Sequence, residues 1–377
     1  MNSTEPNRSS LVDRRRALGR IALGAAGCAL ATASAPAAGP GPAPRPARGR
    51  LKLGCQKRPT TAEGVQIWQR FGVTHVCGGP EPKNPKRGYW TVEELAKVRD
   101  LCDAAKITLE LMWEPFLNSA HINNVDRPAI MLGTSPERDR DIECFQKHLE
   151  NCAAIGVKGV KYNLTLLGVP RTARTPGRGG SGYSTWRLAD AKELAERKTR
   201  AGRVKADDYW ERITYFLERV VPVAEQHKVR LACHPQDPGL PDGFQGVDAV
   251  LGTVEGLKRF VGIKESPYHG LNFCQGTISE MLQRPGEEIH DVIRWFGTRG
   301  KMFNVHFRNI RGQRDDFREV YPDEGDVDMW KAVRTYQEVG YDGMLMYDHV
   351  PSAPNDGDAS RAFAYSYIRA LIQAAEA

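Results

Sequence analysis

The chain has 377 residues, of which 41% are hydrophobic, so it is long enough for one large globular domain with additional segments. It carries 53 Lys and Arg against 46 Asp and Glu, a formal net charge of +7, but its first 33 residues contribute five of the arginines and two of the acids. The remaining charge of +4 does not indicate a nucleic-acid-binding protein, whereas a locally positive pocket for a small anion remains open.

The first forty residues have the features of an export signal. Arg14-Arg15-Arg16 precede a weakly apolar run, residues 21–35, which is too short to span a membrane, and Ala31-Thr32-Ala33 form a small-x-small cleavage site. Paired arginines before a mild apolar run are typical of a twin-arginine signal, so we predict a signal peptide over 1–33 and export to the periplasm. The alternatives are a disordered basic tail and, less favoured, a lipid anchor at Cys28. The stretch 34–50, rich in Pro, Ala and Gly, predicts a linker.

From residue 51 onward, short apolar runs alternate with amphipathic segments, a pattern typical of βα units. The predicted strands cover 51–55, 73–77, 107–112, 159–162, 229–233, a part of 262–274, 301–306 and 343–347. The predicted helices cover 61–71, 136–155, 209–227, 328–339 and 359–374. A further helix is predicted to begin after Thr91, because Thr91 and Glu94 can form a capping box at its start.

Eight βα units predict an α/β fold, a single (β/α)8 TIM barrel over residues 51–377. A doubly wound open sheet is the competing fold, but no glycine fingerprint follows the first strand. Residues 163–207 are too long for an ordinary connection and predict an insertion after strand 4, with a helical piece at 188–200. This basic insertion, with glycines at 178–182, is either a lid over an anionic substrate or a solvated surface excursion.

Seven cysteines follow the predicted signal, an odd number without regular spacing. Although exported proteins often form disulfides, we expect most of these thiols to be buried small hydrophobic side chains.

Four metal-ligating residue types each follow a predicted strand: His234, Cys274, His306 and Asp348. Taken singly, each has a structural explanation: a hydrogen-bonded histidine, a buried thiol or a capping aspartate. However, the carboxyl ends of barrel strands converge on one face, where the active sites of such enzymes lie. The sequence therefore predicts a divalent-metal site, and the donor types suit Zn²⁺, Fe²⁺ or Mn²⁺.

The segments around these residues resemble the mannonate dehydratases, which belong to the xylose-isomerase-like TIM barrels. The resemblance runs from about residue 51 to the C-terminus and is carried by five motifs, 233–238, 270–276, 304–309, 325–329 and 347–349. It implies dehydration of D-mannonate to 2-keto-3-deoxy-gluconate in hexuronate catabolism. It also implies that Mn²⁺ or Fe²⁺ is held by His234, Cys274, His306 and Asp348.

The resemblance also implies roles for residues beside the metal. His349 matches the acid/base histidine, although a purely orienting role next to Asp348 is the alternative. Arg308 and Asn309 are predicted to bind the substrate's carboxylate and a hydroxyl, unless Arg308 pairs with an acid such as Asp348. Tyr162-Asn163 and Arg171 resemble a substrate-binding stretch at the end of the fourth strand. The tyrosine that serves the family's chemistry has no counterpart in register, since residues 355–357 read Asn-Asp-Gly.

The leading hypothesis is thus a metal-dependent lyase that acts on a small sugar acid, without a nucleic-acid partner and without a membrane span. A sugar isomerase or epimerase of the same barrel superfamily is the runner-up, and a non-catalytic secreted sugar-binding protein is the third hypothesis. A homo-oligomer is compatible with the sequence, which leaves the oligomeric state open.

Overall fold

The computed structural model describes residues 48–81 and 87–377. The predicted export signal, 1–33, and most of the predicted linker lie outside the described residues. Residues 48–50 lead without regular structure into the first strand.

Twelve strands occur within the described residues. They are β1 (Lys52–Gln56), β2 (His75–Gly78), β3 (Thr108–Trp113), β4 (Gly159–Asn163), β5 (Ala173–Pro176), β6 (Gly182–Arg187), β7 (Arg230–His234), β8 (His269–Cys274), β9 (Met302–His306), β10 (Ile310–Gln313), β11 (Asp316–Glu319) and β12 (Met344–Met346).

Eight of these strands form a closed parallel barrel in the order β1-β12-β9-β8-β7-β4-β3-β2. The prediction of a TIM barrel is therefore confirmed, and each of its eight strands overlaps a predicted strand. In such a barrel every strand runs in the same direction, so the residues that follow the strands share one rim.

Within residues 48–81 and 87–377, eleven α-helices surround or connect the strands. They are α1 (Ala62–Arg70), α2 (Val92–Ala104), α3 (Ala129–Leu132), α4 (Glu137–Ala154), α5 (Lys192–Ala195), α6 (Ala206–His227), α7 (Val254–Gly262), α8 (Gln275–Ser279), α9 (Pro285–Gly297), α10 (Met329–Glu338) and α11 (Ala359–Glu376). Sequence reasoning located most of the long helices but not α7 and α9.

Local side-chain caps determine where several helices begin. Thr91 accepts a hydrogen bond from the backbone N–H of Glu94 at 3.3 Å, and the Glu94 carboxylate accepts one from the N–H of Thr91 at 2.8 Å. This is the predicted capping box, which satisfies two N–H groups that the first turn of α2 leaves without helical partners. Asp328 caps the start of α10 with a single hydrogen bond, which its carboxylate accepts from the N–H of Lys331.

Alternating side chains of the barrel strands separate two apolar regions. The main core lies between the barrel and the helices, where Val160 and Leu231, for example, are 0% exposed. A smaller cluster consists of Cys77, Leu111, Ala232, Phe303, Met344 and Met346. Several barrel strands end in polar residues that do not belong to either apolar region. This rim of the barrel is therefore available for a functional site.

The predicted insertion after strand 4 contains the antiparallel pair β5–β6, which a second hairpin, β10–β11, extends to a four-stranded sheet. The prediction of a helical piece at 188–200 was wrong over most of its length. That segment has one turn of 3-10 helix at Leu188–Asp190 and the four residues of α5. The β10–β11 hairpin had not been predicted.

The seven described cysteines are all free thiols, and six of them are buried. This outcome agrees with their predicted role as small hydrophobic side chains. No helix within residues 48–81 and 87–377 is both long and apolar enough to cross a membrane.

Candidate metal centre and active site

The four predicted metal ligands come together at the carboxyl ends of adjacent barrel strands. His234, Cys274 and His306 are the last residues of β7, β8 and β9, and Asp348 follows β12 by two residues. One donor atom from each of the four lies within 4.8 Å of all the others. Strand direction and closure of the barrel produce this convergence, because the four strands are neighbours in the order β7-β8-β9-β12.

The donors are close enough to share one ion. Nδ1 of His306 lies 3.2 Å from Oδ2 of Asp348, and Sγ of Cys274 lies 3.6 Å from the same oxygen. The rings of His234 and His306 have their centroids 5.1 Å apart at an angle of 47°. All four side chains are at most 8% exposed, so a bound ion would be largely removed from solvent.

The hydrogen bonds around the two histidines leave a nitrogen of each ring available to a cation. Nδ1 of His234 lies 2.7 Å from the carbonyl oxygen of Pro235, to which it donates, so Nε2 is left with its lone pair. Nδ1 of His306 is buried and has no hydrogen-bond partner. A buried acceptor without a donor is costly, and a divalent cation would satisfy it. The residues present therefore fit a divalent metal.

The protonation states of the four groups are consistent with this fit. Burial lowers the pKa of His234 to about 3 and that of His306 to about 4, which keeps both imidazoles neutral. Burial opposes ionisation of Asp348, but its electrostatic interactions with the nearby imidazoles of His306 and His349 hold its pKa well below the usual range. Burial raises the pKa of the Cys274 thiol to about 12, so that a cation is needed to stabilise the thiolate.

A buried ion-pair network of three carboxylates and two guanidiniums adjoins the four donors. Arg308 lies 2.6 Å from Glu280, 2.9 Å from Asp237 and 3.2 Å from Glu319. Arg171 lies 2.6 Å from Asp237 and also pairs with Glu319. Burial raises the pKa of Glu280 to about 8, so Asp237 and Glu319 balance the two guanidiniums near neutral pH. Asp237, Glu319 and His349 also have a geometry that could hold an ion, but these arginines already supply the positive charge.

The predicted substrate-binding roles of Arg308 and Asn309 do not agree with this geometry. Arg308 is 2% exposed and its guanidinium is occupied by the carboxylates, which favours the alternative of pairing with acids. Asn309 is 1% exposed, and its amide donates to the carbonyls of Pro322 and Val327 and accepts from backbone N–H groups. Both amide hydrogens and the amide oxygen of Asn309 are used in these hydrogen bonds, which hold the loop after β11. The side chain therefore has no donor or acceptor left for a sugar hydroxyl.

The three other predicted substrate-binding residues lie in different places. Tyr162 faces the helices, since its ring packs against Phe145 at 5.5 Å and Phe216 at 5.8 Å, so the predicted substrate contact is not possible there. Asn163, the next residue on β4, is in register with the ligand His234 and therefore lies at the rim. Arg171 lines a cavity that also reaches the donor Asp348, but its guanidinium is held by carboxylates.

This cavity, of about 450 Å³, is the opening through which a small molecule would reach Asp348. Its wall also includes His349, Glu319, Arg171 and Arg174, besides residues of the four-stranded sheet. Nδ1 of His349 lies 3.0 Å from each carboxylate oxygen of Glu319, and its Nε2 lies 3.8 Å from Oδ1 of Asp348. The neighbouring charges, first Asp348 and then Glu319, outweigh burial and raise the pKa of His349 to about 9. His349 thus faces the space where a substrate would bind.

Sequence reasoning missed several residues of this site. Gln56 ends β1 and Lys161 lies near the end of β4, and both are at the same rim as the ligands. The sequence contained a signal for Gln56, a polar residue at the end of a predicted strand, whereas Lys161 lies within β4, where only the register shows that it is on the same side as Asn163. Glu319 carried no such signal, since it belongs to a hairpin that was not predicted.

The fold and the site together define a class of protein, the TIM barrels with a cluster of possible metal ligands at the carboxyl ends of their strands. A solved structure of this fold, the mannonate dehydratase of Streptococcus suis serotype 2, superposes with a TM-score of 0.70 at 20% identity, covering 87% of this chain and 95% of that one. At this identity the similarity concerns the fold alone.

Sequence comparison identifies the family. The family model described as D-mannonate dehydratase (UxuA) matches residues 178–377, which is more than half of the chain. The mannonate dehydratase of Thermotoga maritima is 28% identical over 349 residues, covering 82% of this chain and 92% of the relative. That of Endomicrobium trichonymphae is 27% identical over 331 residues, covering 76% and 85%. This chain belongs to the mannonate dehydratase family and is a hydro-lyase, a sugar-acid dehydratase, so the isomerase alternative is not favoured.

Proposed function

We propose that this chain is a divalent-metal-dependent dehydratase that converts D-mannonate to 2-keto-3-deoxy-D-gluconate and water, a step of hexuronate catabolism. The observation that carries the proposal is the convergence of His234, Cys274, His306 and Asp348 within 4.8 Å beside an open cavity. Membership of the mannonate dehydratase family supports the choice of substrate.

The four donors are suited to Mn²⁺ or Fe²⁺, and Zn²⁺ also fits the donor types. A divalent cation bound there supplies a positive charge that stabilises the negative charge developing on the substrate when the proton alpha to the carboxylate is removed. The two imidazoles are neutral and buried, so each has a lone pair available to the cation without first losing a proton.

His349 is the residue that we assign to proton transfer. Glu319 accepts a hydrogen bond from its Nδ1–H, which leaves Nε2 as the nitrogen available to exchange a proton with a substrate in the cavity. Glu319 is itself fixed by Arg171 and Arg308, so the imidazole is oriented by a rigid, buried group.

Arg174 is the residue that we assign to the carboxylate of the sugar acid. It lines the cavity and is exposed, and no carboxylate within the described residues lies at ion-pair distance from it. Its Nη2 instead donates to the carbonyl oxygen of Ser352 at 3.2 Å. A guanidinium without an ion pair in the described part of the chain, in the same cavity as His349, would bind and orient the substrate's carboxylate. Arg308 is buried and paired with carboxylates, so it is not available for this role.

We also propose that the protein acts in the periplasm after export through a twin-arginine signal over residues 1–33. Export of the folded protein would allow the metal to be bound before translocation. Metal content of protein purified from each compartment tests this order, since a metal-free cytoplasmic form would contradict it.

The proposed reaction is tested with purified protein, Mn²⁺ and D-mannonate, with detection of the product by mass spectrometry. We expect a loss of 18 mass units and formation of a 2-keto-3-deoxy acid. The His349→Gln variant should bind metal like the unchanged protein but lose turnover by at least a hundredfold, because its side chain cannot transfer the proton.

Two outcomes would overturn the proposal. A product of unchanged mass would identify an isomerase or epimerase, and binding of mannonate without turnover in the metal-loaded protein would identify a sugar-binding protein. Full turnover of His349→Gln would remove His349 from the mechanism without affecting the metal assignment.

A further inference from the structure

One glutamine at the rim contacts two of the four candidate ligands. Nε2 of Gln56 donates to Oδ1 of Asp348 at 2.9 Å, and its Oε1 lies 2.9 Å from Nε2 of His306. The same Oε1 accepts a hydrogen bond from Nζ of Lys161, also at 2.9 Å. Gln56 is therefore the only described residue with hydrogen bonds to both His306 and Asp348 from a third strand.

The orientation of the Gln56 amide follows from its neighbours. An ammonium group can only donate, so the atom that faces Lys161 must be the carbonyl oxygen. An ionised carboxylate can only accept, so the atom that faces Asp348 must be the amide nitrogen. Lys161 is 4% exposed, and its Nζ lies 4.0 Å above the ring of Trp113, which holds the ammonium in this position. Two independent contacts thus determine the same amide orientation.

That orientation selects the tautomer of His306. Because Oε1 of Gln56 is an acceptor, Nε2 of His306 must carry the proton, and Nδ1 is left with a bare lone pair. This Nδ1 faces Oδ2 of Asp348 at 3.2 Å, so two acceptors point at each other without a proton between them. In the opposite tautomer Nδ1–H would donate to Asp348, and the two side chains would satisfy each other without a cation.

We propose that Gln56, anchored by Lys161, is a positioning residue that holds His306 in the tautomer whose Nδ1 binds a divalent cation. This inference rests on the proposed metal site and goes beyond it, because it gives a role to two residues that are not ligands. Gln56 and Lys161 would favour the His306 tautomer that binds a cation over the tautomer that donates a hydrogen bond to Asp348. Groups that orient metal-binding histidines in this way typically change metal affinity by about 10- to 100-fold.

The test measures Mn²⁺ affinity and the His306 tautomer in variants of the full-length protein. Gln56→Met removes the hydrogen bonds to His306, Asp348 and Lys161 at nearly constant side-chain length, and we expect its Mn²⁺ dissociation constant to rise roughly 10- to 100-fold. Gln66→Met makes the same chemical change at an exposed position of α1 without a hydrogen bond and should leave the affinity unchanged. In the metal-free protein, ¹⁵N chemical shifts, assigned by comparison with His306→Gln, should show protonation at Nε2, and Gln56→Met should move the proton to Nδ1.

Lys161→Met tests the anchor and serves as the second variant should Gln56→Met fail to fold. It should weaken Mn²⁺ binding in the unchanged background but not in the Gln56→Met background, because the lysine acts through the glutamine. Lys158→Met, an exposed lysine three residues earlier, is the matched control.

The outcomes separate this inference from the proposed function. If the unchanged protein binds Mn²⁺ and Gln56→Met binds it equally well, or if metal-free His306 carries its proton on Nδ1, the positioning role is overturned and the metal site stands. If the unchanged protein binds no divalent metal, the proposed metal site itself is overturned.

Discussion

Nδ1 of His349 lies 3.0 Å from both carboxylate oxygens of Glu319, although the two residues belong to different parts of the fold. His349 follows the last barrel strand, whereas Glu319 ends β11 in the four-stranded sheet. The sheet thus supplies the group that orients a rim histidine of the barrel.

From this contact we predict the effect of Glu319→Gln. The amide can keep one hydrogen bond but loses the charge that fixes the ring, so kcat should fall roughly 10- to 100-fold with a smaller change in KM. Metal content should stay unchanged, because Glu319 is not among the four donors. Steady-state kinetics and metal analysis measure both effects. Glu324→Gln, in the loop after β11 and outside the cavity, is the control, and equal kinetics for the two variants would contradict the orienting role.

Two buried cysteines allow a matched test of the metal ligands. Cys274 contributes Sγ to the donor cluster, whereas Cys233, on the neighbouring strand, is buried in the main core. We predict that Cys274→Ala loses most of the bound metal, because a three-donor site with one carboxylate holds a divalent ion less firmly. Cys233→Ala should retain it. Metal analysis after dialysis distinguishes the two, and full metal stoichiometry in Cys274→Ala would remove the thiolate from the site.

Arg174 should affect substrate binding more than catalysis. Because Arg174→Met removes a cavity guanidinium without breaking an ion pair among the described residues, we predict that KM for mannonate rises about tenfold or more while metal content is retained. Arg187→Met, on β6 but outside the cavity, also removes a guanidinium, one that pairs with Asp190 and Asp316, and should leave KM unaltered. An unchanged KM in Arg174→Met would mean that the carboxylate binds elsewhere.

The stability of the protein should depend on the ionisation of Glu114, which follows β3. Its side chain is 1% exposed, Oε1 has no hydrogen-bond partner, and burial raises its pKa to about 8. A carboxyl group whose folded pKa exceeds its unfolded value stabilises the fold at low pH, and this contribution is lost as the pH rises through 8.

Glu114→Gln removes this dependence because its amide does not ionise. We predict that the variant gains free energy of unfolding relative to the unchanged protein between pH 6 and pH 9, on the order of 2 kcal/mol. Urea denaturation at the two pH values measures the difference. Glu143→Gln, at an exposed position of α4, should show no such gain, and a pH-independent difference for Glu114→Gln would contradict the shifted pKa.

Much of the site follows from local features of the sequence. Each barrel strand is a short apolar run, and the direction of parallel strands is the same, so a polar residue directly after a run must lie at the common rim. His234, Cys274, His306 and Asp348 were located by this argument alone. The capping box of Thr91 and Glu94 was equally predictable, because it depends on residues three positions apart.

Other features depend on contacts between distant segments and could be read only from the tertiary structure. Tyr162 and Asn163 are adjacent, yet the strand register turns one toward the helices and the other toward the rim, which a single-residue shift would reverse. Arg308 is paired with three carboxylates from different segments, so its guanidinium is not available to a substrate. No pattern in the local sequence predicts these partners. The sequence by itself determined the barrel and its ring of donors, because these follow from periodicity along the chain. Only the tertiary structure decided which polar groups face the cavity and which form buried ion pairs with one another, because the partners in these ion pairs lie far apart in sequence.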